Sequence, residues 1–394
     1  MSFMKTIFYY IFVGLYALAA NLAHPITPTL IQNLALPDYM FGLMFAGMSI
    51  TNFLFSPFWG KLADYLQSRS ILLICCIGYG IGQFFFWQAS NAATIMAARC
   101  FSGFFVGGIS VAMLTFLVNV SSEKDRNRNL TLHATITTVA STFGYFIGGL
   151  AGELSLDLSF LLQVILLILC GLGFGLLCSK DHLHSSFRPS VSQIAKGANP
   201  FSAFIAGRQF MTPIFALLFG VALLSMFAST AYDQCFNYYI KDQFGFSSAY
   251  NGTIKAVIGV ISLVSNMSLC MYIVRKTNVA RSNVIILFFG TLSMLGVLIF
   301  DSVVPFILFT VLYLGINAIS VPVLQALISG RATSTNSNLV MGFYNAIKSL
   351  GMVAGSLIAG FVYDYSPKFP FLLAAISFAG AFLLSLTFFK KIKK

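Results

Sequence analysis

Acidic residues are scarce: only 11 of the 394 residues are Asp or Glu, and charged residues of all kinds make up 9% of the chain. A soluble domain carries about 25% charged residues, so a water-exposed globule is excluded. Polar stretches are nearly absent as well, which leaves no length for a separate soluble domain beside the apolar segments. No phosphate-binding loop is present, which argues against ATP-driven work. Cysteines number seven, an odd count, and Cys75, Cys76, Cys100, Cys170, Cys178, Cys235 and Cys270 sit almost entirely in apolar stretches. That placement points to packing rather than to disulfides or a metal. The net charge of +12 would suggest nucleic acid in a soluble protein, but here its distribution matters more than its sum, and no nucleic-acid partner is expected.

What fills the chain instead is apolar: 58% of residues are hydrophobic and the mean hydropathy is +0.87. A bilayer-spanning helix needs about 20 apolar residues. Twelve such segments are expected, at 6–33, 40–62, 70–90, 93–119, 129–152, 158–178, 209–238, 247–274, 282–300, 304–328, 339–363 and 369–389. The first mimics a secretory signal, with Lys5 and Ala17-Leu18-Ala19, but its apolar run continues to about Leu34 and reads as an uncleaved helix. The polar stretch 179–208, with Lys180, Asp181, His182, His184, Arg188, Pro189 and Lys196, reads as a linker between an N-terminal bundle (1–178) and a C-terminal bundle (209–394). Lysines and arginines concentrate in alternate loops, and only Lys241 and Lys368 fall on the other side. Asp38, Glu153, Asp157, Asp242, Asp301 and Asp364 lie on that second side. The bias predicts a multi-pass protein with both termini in the cytoplasm.

The halves echo each other. Gly144-Tyr145-Phe146-Ile147-Gly148-Gly149 parallels Gly355-Ser356-Leu357-Ile358-Ala359-Gly360 at an offset of 211 residues, as expected for repeated bundles around a central site. Four places carry a family resemblance. The joint Gly60-Lys61-Leu62-Ala63-Asp64, continuing to Arg69, has Gln67 and Tyr65 where a glycine and a basic residue are usual. Helix four holds Arg99-Cys100-Phe101-Ser102-Gly103, continuing to Gly107. Helix five holds Gly144 to Gly149 with Tyr145 in a proline position, and helix one holds His24-Pro25-Ile26-Thr27-Pro28.

On these residues the chain resembles the major facilitator superfamily, most closely its twelve-helix drug–proton antiporter branch. The resemblance implies an all-α integral membrane fold of twelve helices in two pseudo-symmetric six-helix bundles, working by alternating access around a site at the bilayer midplane. It implies a cytoplasmic latch at Asp64, with Gly60 and Arg69, and proton transfer linked to Arg99. It also implies packing and leaning of helices at Gly103, Gly107, Gly144, Gly148 and Gly149. Glycines four apart explain close packing by themselves.

Charges inside the spans are the sharpest functional signal. Arg99, Lys255 and Lys348 face one acid, Asp233, so the interior is expected to be electropositive. Asp233 and Lys255 lie at similar expected depth on adjacent helices, and Lys348 has no evident acidic partner in its half. An unpaired lysine there is free to accept a proton or hold an anionic substrate. The antiporters usually place a carboxylate in helix one or four; here helix one offers Asn21 and His24, and helix four no acid. If protons are coupled, Asp233, Asp64, His24 or His133 must titrate, and Arg99, Asp233 and His24 are the coupling candidates, Arg99 through the resemblance. Asn21, Asn237, Lys255, Asn266, Gln325, Tyr344, Asn345 and Lys348 are the substrate-cavity candidates. No catalytic residue, cofactor or metal is expected. The expected activity is export of small amphipathic compounds from the cell in exchange for protons by a monomeric carrier in the plasma membrane. An uncoupled or anion-selective carrier, such as a lipid or glycolipid flippase, and a non-transporting sensor are the rival readings.

Overall fold

With no water in the bilayer core, backbone groups must be satisfied within each segment, and the helix is the local solution for an apolar chain. A computed structural model describes residues 2–121, 123–181, 192–193, 198–332 and 337–393. The linker residues His182, His184, Arg188, Pro189 and Lys196 lie outside the described residues. Every regular element among the described residues is helical. In order they are α1 (Ser2–Asn21), α2 (Thr27–Asn33), α3 (Met40–Leu62), α4 (Ser68–Trp87), α5 (Ala92–Val120), α6 (Glu123–Leu154) and α7 (Leu156–Leu177). Then come α8 (Ser202–Gly207), α9 (Pro213–Asp242), α10 (Ser248–Ser265), a π-helical turn (Asn266–Cys270), α11 (Met271–Lys276), α12 (Val279–Ile299), α13 (Val303–Ser329), α14 (Ser337–Tyr363) and α15 (Phe369–Lys393). Among the described residues eleven helices have the length and apolarity to cross a membrane, and Ile7–Asn21 is a shorter apolar helix. The chain is a multi-pass membrane protein.

Side-chain caps set several helix starts. Asn91 and Thr94 form a reciprocal capping box at α5, and Ser155, Thr212 and Asn278 each accept from a backbone N–H three residues on. The first span departs from the sequence expectation, since 6–33 is not one helix. It stops at Asn21 and resumes at Thr27, with Pro25 in the break and Pro28 in the first turn of α2, where a missing N–H costs least. At the far end of α2, Ala35 takes a left-handed conformation (φ 48°) and the Leu36 N–H donates to Ile31 O at 3.1 Å.

The chain divides into two units. Unit 1 comprises Met1–Leu36, Gly47–Pro200 and Phe246–Ala256; unit 2 comprises Pro37–Ala46, Phe201–Gly245 and Val257–Lys394. The first turns of α3 thus pack within unit 2, and the first turns of α10 within unit 1. In unit 1, α1 packs on α6 and α7, and α4 on α5 and α7. Unit 2 repeats the scheme: α9 packs on α14 and α15, and α12 on α13 and α15.

Lipid is as apolar as leucine, so close contact rather than hydrophobic burial holds such helices together. Glycines supply it. A Cβ at Gly144 or Gly148 would strike the backbone carbonyls of Leu18 on α1 or Leu22 just after it; one at Gly351 or Gly355 would strike those of Leu223 or Phe227 on α9. The core of unit 1 gathers Tyr9, Trp59, Cys75, Cys76, Phe116 and Phe174, all buried. In unit 2 the rings of Tyr232, Tyr313, Phe236, Phe306 and Phe371 form a buried aromatic cluster.

Candidate functional site

In unit 1 the candidates form three groups. Arg99 lies on α5, 8% exposed, with its guanidinium 3.7 Å over the Phe86 ring on α4. Its Nη1 reaches Met48 Sδ at 3.9 Å, and its Nε has no hydrogen-bond partner among the described residues. A ring face attracts a cation but does not neutralise it, so Arg99 retains unspent donor capacity in a nearly sealed place. Gly103 and Gly107, one and two turns on, let α5 press against the backbone of Met48 and Asn52 on α3.

The second group surrounds the break in the first span. The His24 ring stacks on Tyr145 of α6 at 5.4 Å, and the Lys255 ammonium lies 5.9 Å from the centre of that same ring. Asn21, half-buried, donates to Ala17 O at 2.7 Å and abuts Gly144. The start of α10 rests on α6 at Gly149, where a Cβ would meet Ser248 O, and Gly252 faces Tyr145 O in return. Three sequence candidates, His24, Lys255 and Gly149, are thus brought together around one tyrosine.

The third group is the charged joint after α3. Asp64 is exposed, and among the described residues its carboxylate makes no hydrogen bond or ion pair; Gly60 has open space around it. The anchoring acid here is Asp181. It is 6% exposed and accepts from Ser68 N–H at 3.0 Å, Ser68 Oγ at 2.5 Å and Asn119 Nδ2 at 3.2 Å. A carboxylate on the first N–H groups of α4 is favourable for a helix with no side-chain cap of its own. Arg69 donates to Gln67 Oε1 and to Cys178 O.

In unit 2 the acids gather at one end. Tyr238 donates to Asp38 at 2.5 Å, Tyr363 donates to Asp242 at 2.7 Å, and Lys368 pairs with Asp301. Phe41 stacks on Tyr238 at 5.1 Å and meets Tyr363 edge-on at 5.4 Å. Asp233, half-buried on α9, lies near Tyr232 and Tyr313. Lys348 stands well away from this end, half-buried on α14, with its ammonium 5.0 Å from the centre of the buried Tyr344 ring. Asn345 is exposed one turn before it. Gln325 on α13 is exposed, and Asn266 is half-buried at the start of the π-helical turn.

Sequence reasoning did not find that turn, and π-turns inside α-helices recur at functional sites. No glycine or proline marks it, so the sequence carries no signal for it. It gave His133 little weight. The structure sets His133 Nδ1 3.1 Å from Tyr9 Oη, which itself donates to Met113 O at 2.9 Å. With its own proton spent on Met113, Tyr9 is left to accept from the histidine. An apolar groove of about 400 Å³ between α4 and α5, lined by Phe85, Ala97, Ala98 and Phe101 among others, contains none of the candidates.

Comparison with known proteins matches residues 9–321 to the Major Facilitator Superfamily. Multidrug resistance protein 1 of Bacillus subtilis is 22% identical over 366 residues, covering 92% of this chain and 90% of the relative. Quinolone resistance protein NorA of Staphylococcus aureus (strain MRSA252) is 25% identical over 382 residues, covering 95% and 94%. Among solved structures, an inward-facing, unoccupied bacterial homolog of the human lysosomal transporter Spinster superposes with a TM-score of 0.77 at 13% identity, covering 99% of this chain and 98% of that one.

Proposed function

Because the chain belongs to the major facilitator superfamily, we propose that this membrane transporter is a secondary carrier that exports small amphipathic compounds in exchange for protons. It is not an enzyme: its family is one of transporters. The observation that carries export is the near-full-length likeness to two proteins named for multidrug and quinolone resistance. The repeated helix scheme supports alternating access, which such repeats perform by rocking or gating one bundle against the other. The excess of basic residues in one set of loops supports a plasma-membrane orientation with both termini in the cytoplasm.

In this reading Arg99, Asp233 and His24 serve coupling, and Asn21, Lys255, Asn266, Gln325, Tyr344, Asn345 and Lys348 contact cargo. The joint Gly60–Asp64–Arg69 changes partners during the cycle, and the glycine contacts of α5 and α6 allow the helices to lean. The test uses everted vesicles carrying a pre-formed proton gradient, with cationic, neutral and anionic amphiphiles added in turn. Transporter-dependent collapse of the gradient by one class is expected. Flux of the amphiphile with the gradient untouched removes the coupling, and no flux at all points to a non-transporting sensor on this fold.

A further inference from the structure

Lys348 stands in unit 2 with no carboxylate of that unit within reach. On α9 and α14 the glycine contacts fix the register, since Gly351 meets Leu223 and Gly355 meets Phe227. Asp233 therefore lies level with residue 361 of α14, about 20 Å along the helix from Lys348 at 1.5 Å per residue. The other acids of unit 2 are no nearer. Asp242 ends α9, Asp364 follows α14, Asp38 takes the Tyr238 hydroxyl near the end of α9, and Asp301 joins α12 to α13. All stand at the end opposite to Arg275, Lys276, Arg331, Lys390 and Lys391. Among the described residues the Lys348 ammonium makes no hydrogen bond or ion pair, and its one neighbour of note is the Tyr344 ring, which leaves its three N–H donors open. It stands nine residues past Leu339, where the apolar span begins, about 13 Å inside.

The surroundings of this ammonium suit a cargo with an apolar body. Met341, Asn345, Lys348 and Met352 fall on one stripe of α14, four and three residues apart, and none of the four is buried. Asn345 adds an exposed amide beside the ammonium, and methionine makes adaptable apolar surface. Across the whole chain the spans hold Arg99, Lys255 and Lys348 against Asp233 alone. A charge held in such surroundings without a partner is unfavourable, and a bound anion relieves it. The geometry points to Lys348 and Asn345 as the recognition point for the anionic group, a sulfonate or carboxylate, of an amphipathic compound. This assignment rests on the export reading and names the charge of what is exported.

The test is flux into liposomes of phosphatidylcholine containing the purified full-length protein. The probes are two pyrenes with the same ring system and opposite fixed charge, pyrenesulfonate and a pyrenemethyl trimethylammonium. Wild-type protein is expected to move pyrenesulfonate faster. Lys348→Gln should slow it about tenfold, the loss of one charge-assisted hydrogen bond. Lys348→Arg should restore most of the rate, and the ammonium probe should be unaffected or faster in both variants. Binding of pyrenesulfonate in detergent, read beside thermal melting, separates lost recognition from lost folding. Equal slowing of both probes in folded Lys348→Gln, or no change in either, overturns the assignment. Wild-type transport of the ammonium probe alone overturns it while leaving export standing; transport of neither probe removes both. Phosphatidylglycerol added to the liposomes tells the sources of the anion apart: inhibition that vanishes in Lys348→Gln identifies a lipid headgroup at Lys348, and its absence a free solute.

Discussion

Both units contain the same crossing, one glycine set against another, yet they hold it by different means. In unit 1 Gly252 of α10 lies on Gly149 of α6; in unit 2 Gly42 of α3 lies on Gly360 of α14. The partners correspond at offsets of 210 and 211 residues, so the backbone geometry is a repeat. Around it, unit 2 places two tyrosine-to-carboxylate hydrogen bonds of 2.5 and 2.7 Å, with Phe41 packed against both tyrosine rings. Unit 1 has a Thr29–Ser248 contact of 3.3 Å, an Asn251 amide 3.5 Å from Pro25 O, and Glu153 accepting from the Ala249 N–H at 3.0 Å. Short bonds to ionised groups are stronger than neutral ones. The shared geometry is therefore fixed by glycine, and the two crossings differ in the side chains around it, with the shorter bonds in unit 2.

The largest effect should come from removing what the two crossings share. Gly42→Val and Gly149→Val each force a side chain against a neighbouring backbone, Ser356 O in one and Ser248 O in the other. A backbone carbonyl cannot swing aside as a flexible side chain can, and overpacking of this kind costs about 1–3 kcal/mol or more. Both variants should lose transport and melt at lower temperature, to similar extents. A mild phenotype in one alone would show that the crossings are not equivalent.

A smaller, one-sided effect should follow from removing what differs. Tyr238→Phe keeps the ring stacked on Phe41 and deletes the hydroxyl that serves Asp38. A hydrogen bond to a charged group contributes about 1.5–3 kcal/mol, and a neutral one about 0.5–1.5. Amide exchange in 37–46 should therefore accelerate about tenfold or more in Tyr238→Phe. Thr29→Val should accelerate 246–256 by less. Equal acceleration in the two would erase the distinction drawn between the units.

The repeat itself was legible in the sequence, because glycine at Gly144, Gly149, Gly355 and Gly360 has few other uses in an apolar helix. The charged spans were legible too, since Arg99, Lys255 and Lys348 stand out against apolar neighbours. What was not legible depends on partners distant in the chain. Asp181 reads as one more polar linker residue until Ser68 and Asn119 close on it, 113 and 62 residues away. Tyr9 and His133 are 124 residues apart, and nothing local marks either as the other's partner. The break in the first span lay in plain sight at Pro25 and Pro28, but the run of apolar residues across it favoured continuity.

The smallest expected effect concerns pH at the crossing of unit 2. Asp364 follows the last residue of α14. Partial burial, and then the nearby Asp38 carboxylate, raise its carboxyl above the ordinary value, while a hydrogen bond from the Tyr39 backbone pulls the other way. A raised carboxyl holds its proton more tightly when 37–46 is docked than when it is released. By linkage, docking is favoured while Asp364 is protonated and weakens as pH climbs through the raised value. Asp38 and Asp242 are the carboxylates that act on Tyr238 beside it, and ionised Asp364 adds a third; Lys241 and the Asp301–Lys368 pair lie at the same end. Because Asp364 is exposed, solvent screens most of the repulsion, and the effect should be slight. Amide exchange in 37–46, corrected for the intrinsic effect of pH, should quicken with rising pH in the wild type and stay level in Asp364→Asn. A slope unchanged in Asp364→Asn would take the pH response away from Asp364 and overturn its part in holding 37–46.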